Sequence, residues 1–163
     1  MSSLTLNSYP KNKDYYQKLI AFGKECLEIC KTLNVTPVIH GSLAYLFYTK
    51  DGSIEVHDLD LLVPEAILSV LATEFTKQGI QNELSSHPSL KVLKGDEKIS
   101  FHSMEYFLNN LSKTALPVDI EGSTFQILNL EALIKGYEAS KNMEPKISEA
   151  SSKKLEKLYL VKN

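Results

Sequence analysis

Two aspartates, Asp58 and Asp60, stand two positions apart in an apolar segment of this 163-residue chain, and their spacing could support metal chemistry. In a β-strand, residues i and i+2 point to the same face at a spacing of about 6.5–7 Å, while Leu59 and Leu61 would face the other way, into a core. Two carboxylates on one face can hold one Mg²⁺ ion or a pair of ions. The segment therefore predicts a strand that carries a metal site.

A Gly-Ser pair, Gly41-Ser42, lies upstream, between a short β-prone run at 36–39 and an apolar segment at 43–48 that predicts a short helix. Gly41 permits a turn that a Cβ would crowd, and Ser42 can cap the helix. A helix N-terminus presents unpaired N–H groups and partial positive charge, which together suit a phosphate. The pattern predicts that a phosphate approaches the backbone at Gly41.

The order of these two motifs resembles the signature of the nucleotidyltransferase fold, which is shared by DNA polymerase beta, kanamycin nucleotidyltransferase and many small bacterial proteins. Gly41 and Ser42 match the family's Gly-Ser pair, and Asp58 and Asp60 match its metal-binding carboxylates. The resemblance implies that the first pair holds the terminal phosphates of a nucleoside triphosphate and that the second holds Mg²⁺ or Mn²⁺. It also implies transfer of a nucleoside monophosphate to a hydroxyl group of a small molecule or a protein, with release of pyrophosphate.

Helical and strand patterns around the motifs predict an α+β fold, a nucleotidyltransferase-like mixed sheet of about five strands flanked by helices. Amphipathic helices over 14–33 and 64–79 would cover the sheet. Downstream β-prone runs occupy 80–84, 90–93, 98–102, 116–120 and 124–128. We expect a flexible N-terminal arm over 1–13, a nucleotidyltransferase-like domain over 14–141, and a short C-terminal helical extension over 142–163.

The family usually places a third carboxylate on a strand after the Asp-x-Asp, as general base or as a ligand of a second metal. The matching segment here, 98–102, contains no carboxylate, but His102 could take the proton of the acceptor. Asp119, flanked by apolar residues, is the first alternative acid and Glu105 is another. Without such a base, the chain would be a catalytically inactive binding or regulatory module of antitoxin-like type, and this interpretation stays open.

Lysine is the cation available for phosphate binding, because the sequence contains no arginine. Lys50, in the turn before the Asp-x-Asp strand, could reach a triphosphate, although a solvated lysine is the ordinary alternative. His57 could join Asp58 and Asp60 in a metal cluster without nucleotide, but strand alternation puts its side chain on the other face.

The composition favours a single globular domain without a basic surface. A net charge of −2 gives no field for capturing duplex nucleic acid. The sequence contains no apolar run long enough for a membrane span and no secretory leader, so we expect a cytoplasmic protein. Cys26 and Cys30, four apart on the first predicted helix, are expected to be buried core residues. The identity of the acceptor, and whether a homodimer completes the cleft, stay open.

Overall fold

The computed structural model describes residues 4–107, 115–140 and 145–162, which contain both strands and helices. The strands are β1 Leu4–Thr5, β2 Val38–His40, β3 Asp58–Val63, β4 Gln81–Ser85, β5 Ser89–Lys94, β6 Glu97–Ser103, β7 Ala115–Ile120 and β8 Ser123–Leu128. The helices are α1 Lys13–Thr32, α2 Gly41–Thr49, α3 Leu68–Lys77, α4 Met104–Phe107, α5 Leu130–Ser140 and α6 Pro145–Lys162, and a 3₁₀ turn spans Glu65–Ile67. This arrangement confirms the predicted α+β class.

All the described strands form one mixed sheet in the order β1-β7-β8-β2-β3-β6-β5-β4. β3 lies at the centre, antiparallel to β2 and parallel to β6. The sheet has eight strands in the described part of the chain, more than the five or so expected, because the β4–β5–β6 meander and the β7–β8 hairpin join the same sheet and β1 adds an edge.

One face of β3 is core, whereas the other is open at Asp58 and Asp60 and buried at Leu62, which packs in a second apolar cluster. Leu59, Leu61 and Val63 are fully buried in one cluster with Phe22 of α1 and Phe75 of α3. Burial of each such side chain contributes about 1.5–3 kcal/mol, and a slip of one residue in register would exchange the two faces. The core packing therefore fixes which face of β3 carries its aspartates.

The N-terminal segment, predicted to be a flexible arm over 1–13, contacts the domain at both of its ends within the described residues. Leu4 and Thr5 form the edge strand β1, in which Leu4 pairs with Val118 of β7. The Asn12 side chain then donates to the Val56 carbonyl at 2.9 Å and accepts from the Val56 N–H at 3.0 Å. These bonds attach the segment to the loop before β3. Residues 1–3 lie outside the described part of the chain.

The C-terminal helix α6 packs back onto the domain. Leu155 and Leu158 are buried, and Lys157 Nζ lies 2.7 Å from the Asp51 carboxylate in the loop after α2. The expected domain boundary at 141–142 falls outside the described residues, as does part of the predicted linker. No helix in the described ranges is long and apolar enough to cross a membrane.

Candidate functional site

The turn between β2 and α2 requires glycine for two reasons. Gly41 has φ +72°, in the left-handed region that L side chains rarely adopt. A Cβ built on Gly41 would also lie 2.5 Å from Oδ2 of Asp60, because His40 and Asp60 are register partners in adjacent strands. The backbone at the start of α2 and the Asp60 carboxylate are therefore in close contact.

Ser42 does not cap the helix, contrary to the sequence-based expectation. Helix α2 already begins at Gly41, and no side chain caps its first turn. The Ser42 hydroxyl instead accepts a hydrogen bond from Lys154 Nζ at 3.1 Å, across 112 positions of sequence. Ser42 therefore connects the start of α2 to the C-terminal helix.

Asp58 and Asp60 lie on the open face of β3, and each has a basic neighbour from the parallel strand β6. Lys98 Nζ lies 3.3 Å from Oδ2 of Asp58, and His102 Nε2 lies 3.4 Å from Oδ1 of Asp60. The register places Lys98 directly beside Asp58. It pairs His102 with Leu62, so His102 reaches Asp60 diagonally along the same face of the sheet. Both aspartate side chains keep partial solvent access, with 30% of Asp58 and 23% of Asp60 exposed.

Lys154 of α6 reaches this site from above α2. Its ammonium lies 5.5 Å from the ring centre of Tyr45 and 5.3 Å from that of Tyr137, and 3.4 Å from the Tyr137 hydroxyl. Burial lowers the pKa of Lys154 below its ordinary value, although the negative charge of Asp60 acts in the opposite direction. The site therefore contains a mostly desolvated lysine directed at the Ser42 hydroxyl.

Sequence reasoning missed Lys154, although the sequence contains a signal for it. The buried residues Ser151, Leu155 and Leu158 define the inner face of α6 at spacings of three and four. Lys154 stands within that face. A lysine among the core-facing positions of an amphipathic helix is costly unless a partner compensates its charge, so this position indicates a buried polar contact.

His40 lies close to Asp60, whereas His57 lies away from both aspartates. Burial lowers the pKa of His40 to about 4, the nearby Asp60 carboxylate opposes this shift, and His102 adds to it. His40 is therefore neutral at neutral pH, and its ring packs edge-on against His102 at 5.2 Å between centroids. His57 is 72% exposed and lies 3.2 Å from the Glu55 carboxylate, outside the cluster.

Three solved structures illustrate the similarity of this fold to known proteins. The antibiotic-resistance factor ANT(2'')-Ia aligns over 90% of this chain and 89% of its own, with 16% identity and a TM-score of 0.59. The lincosamide antibiotic adenylyltransferase LnuA aligns over 88% and 96%, with 10% identity and a TM-score of 0.59. An antigenic nucleotidyltransferase-like protein from Paracoccidioides brasiliensis aligns over 87% and 75%, with 12% identity and a TM-score of 0.60.

The chain has the nucleotidyltransferase fold. No protein-family model matches it, and no curated protein sequence does. At identities of 10–16%, the similarity establishes the fold and leaves the reaction to be tested. It confirms the resemblance that the Gly-Ser and Asp-x-Asp motifs carry.

Three residues expected near this nucleotidyltransferase-fold site lie elsewhere. Lys50 is exposed at the far end of the nine-residue helix α2, about 13 Å from Gly41 by helical rise. Asp119 lies on β7, three strand positions from β3 or about 14 Å, and its Oδ1 accepts from the Gly122 N–H. Glu105 accepts from the Glu65 N–H, beyond the end of β3. The structure brings none of them to the aspartates.

The carboxylates of Asp58 and Asp60 fit a divalent ion that takes only one or two of its ligands from the protein. No group of three or more His, Cys, Asp or Glu side chains in the described ranges could hold a metal by itself. Mg²⁺ is commonly bound through one or two carboxylates, with water and substrate phosphate oxygens completing its octahedron. Two carboxylates on one open face, beside a helix N-terminus suited to phosphate, match that mode of binding.

Proposed function

We propose that this chain transfers a nucleoside monophosphate from a nucleoside triphosphate to a hydroxyl group. The observation that carries the proposal is the convergence of three distant parts of the chain. The N-terminus of α2 at Gly41, the Asp60 carboxylate and the Lys154 ammonium all meet around Ser42. Cations, backbone N–H groups and carboxylates at one point are what binding of a metal triphosphate requires.

The triphosphate would be held by three kinds of donor. The unpaired N–H groups in the first turn of α2 and the Ser42 hydroxyl would bind terminal oxygens, and Lys154 would neutralise their charge. Hydrogen bonds between charged partners contribute about 1.5–3 kcal/mol each, more than neutral ones. Lys154 thus takes the role that an arginine could otherwise have in a chain without arginine.

Asp58 and Asp60 would hold Mg²⁺ or Mn²⁺, which would supply positive charge to the phosphate oxygens. In the transfer step the acceptor oxygen bonds to the α-phosphorus, the bond from that phosphorus to the bridging oxygen breaks, and pyrophosphate leaves. The hydroxyl proton must pass to a base. We take His102 as the candidate base. Its Nε2 lies 3.4 Å from Oδ1 of Asp60, and a carboxylate only accepts, so this contact would have to open before Nε2 could accept the proton.

We take ATP as the first donor to test and a small hydroxylated molecule as the first acceptor class. The support is the structural similarity to LnuA, an adenylyltransferase for a lincosamide antibiotic, which extends over 88% of this chain and 96% of LnuA. A protein acceptor is the next class to test. The chain's net charge of −2 gives no reason to expect duplex nucleic acid as a partner.

Lys98 favours a second candidate function, a binding module without catalysis. The ammonium beside Asp58 lies on the strand where the resemblance leads one to expect a third carboxylate. Such a module would bind nucleoside triphosphate through the same α2 N-terminus but would transfer nothing.

Transfer of label from [α-³²P]ATP, with Mg²⁺ or Mn²⁺ and a panel of hydroxylated acceptors, tests the proposal. Asp60→Asn should lower turnover by about 10²–10³-fold, since it removes a preorganised charge. His102→Gln should lower it by about 10²–10⁴-fold while nucleotide binding is kept. Asp119→Asn is the matched control and should transfer like the parent, because Asp119 lies about 14 Å away across the sheet.

Nucleotide binding is measured separately by calorimetry, so that the two candidate functions give different results. Binding with transfer supports the enzyme, whereas binding without transfer to any acceptor supports the module. A parent protein that binds no nucleoside triphosphate contradicts both.

A further inference from the structure

Lys98 and Asp58 form a contact pair at the centre of the candidate site. They are register partners on parallel strands, and Nζ of Lys98 lies 3.3 Å from Oδ2 of Asp58. The side chains are only 35% and 30% exposed, so the pair is partly withdrawn from solvent. Both the backbone register and the side-chain contact therefore place a fixed positive charge beside this carboxylate.

The second carboxylate is engaged in a similar way. Oδ1 of Asp60 faces His102, while its Oδ2 lies toward the backbone of Gly41. Each aspartate thus directs one oxygen at a side chain of β6. The pair has one further oxygen on each carboxylate for a metal, which suits a single ion shared between them.

A second ion would meet the Lys98 ammonium. Two-metal sites hold their ions about 3.5–4 Å apart, with the carboxylates lying between or beside them. An ion bound to Asp58 on the β6 side would lie within about 4 Å of Lys98. Repulsion between a divalent ion and an ammonium at that distance weakens ion binding by at least about 10-fold, even with the dielectric of water.

We propose that this site binds one divalent ion with its nucleotide rather than two, and that the ammonium of Lys98 stands in the place of the second ion. The inference rests on the proposed function, because it concerns the same nucleotide site. Lys98 acts as a positioning residue through Asp58: it holds one oxygen of that carboxylate and leaves the other for the single ion. It supplies positive charge without needing metal from solution.

The stoichiometry of bound Mn²⁺ tests this assignment without any measurement of transfer. Equilibrium dialysis and Mn²⁺ electron paramagnetic resonance are carried out with α,β-methylene ATP at saturation. The parent should bind one Mn²⁺ per chain together with the nucleotide. Lys98→Glu should bind a second Mn²⁺, since it places a third carboxylate beside Asp58. Lys98→Gln should tighten binding of a second ion by about 10-fold relative to the parent, through loss of repulsion alone.

Lys94→Glu is the matched control. It makes the same change in charge on the neighbouring strand, but Lys94 pairs with Glu25 of α1. This variant should keep a single Mn²⁺. Circular dichroism checks that every variant is folded. If Lys98→Glu does not fold, the neutral Lys98→Gln variant tests the proposal in its place.

The failures of the two proposals are distinguishable. A parent that binds nucleotide with two Mn²⁺ ions of similar affinity overturns the role of Lys98 and leaves the proposed transfer standing. Equal stoichiometry and affinity in the parent and both Lys98 variants also overturn it. A parent that binds neither nucleotide nor Mn²⁺ overturns the proposed function and this inference together.

Discussion

The substitution Gly41→Ala tests how closely the turn and the carboxylate are coupled. Two costs are expected: alanine at φ +72° loses about 1–2 kcal/mol in the left-handed region, and its Cβ would stand 2.5 Å from Oδ2 of Asp60. Alanine also restricts the unfolded chain more than glycine does, which stabilises the folded state by about 0.4–1 kcal/mol. Displacement of the carboxylate adds about 1–3 kcal/mol, the usual range for overpacking.

Gly79→Ala separates these two costs. Gly79 has φ +76°, and a Cβ there would meet no atom within 4 Å. It should therefore show the backbone cost alone, roughly 1 kcal/mol, or about 2–4 °C in melting temperature for a chain of this size. Gly41→Ala should lose clearly more than Gly79→Ala in urea unfolding followed by circular dichroism.

A double-mutant cycle with Asp60→Ala assigns the difference to the carboxylate. Removal of the carboxyl group should bring the cost of Gly41→Ala close to that of Gly79→Ala, with a coupling free energy of about 1 kcal/mol or more. Some excess should persist, because the Cβ of Asp60 lies 3.2 Å from the added methyl position. Equal costs for the two glycine variants in both backgrounds would refute the contact between the turn and Asp60.

Three further predictions concern the C-terminal helix and the core. Lys154→Met should weaken binding of nucleoside triphosphate by about 10-fold or more in calorimetry, because it removes the ammonium beside Ser42. Its melting temperature should fall little, since removal of a desolvated charge offsets the lost contacts. Unchanged affinity would contradict the role of Lys154 in phosphate binding. The ammonium of Lys157 holds the pKa of Asp51 below its ordinary value, so this pair stabilises the fold above pH 4 or so and loses that contribution as pH falls further. Lys157→Gln should accordingly flatten the acid side of the melting curve against pH, and identical slopes would argue against the pair. Burial raises the thiol pKa values of Cys26 and Cys30, that of Cys30 to about 12, so iodoacetamide at pH 8 should modify both thiols in urea but not in the native protein.

Local sequence patterns predicted most of the individual elements, because their causes are local. Alternation of Asp58 and Asp60 with leucines predicted β3 and its open face, and apolar spacing predicted α1 and α3. A turn at Gly41 was also predicted, since glycine permits backbone conformations, such as its φ of +72°, that a side chain disfavours. The size of the sheet was underestimated because strand pairing is a contact between distant segments, as the edge position of β1 shows.

The composition of the site depended on tertiary structure. Asp119 repeats the local pattern of Asp58, yet the strand order places it across the sheet, since nothing in a strand's own sequence states its neighbours. Lys98 can be read from the sequence, but its contact with Asp58 depends on the parallel register of β3 and β6. Lys154 meets Ser42 only because α6 packs against α2 across 112 residues. The sequence by itself determined the strand with its aspartates and the turn at Gly41. The tertiary structure decided which charged side chains lie beside them, because electrostatic contacts depend on distance in space and not on position along the chain.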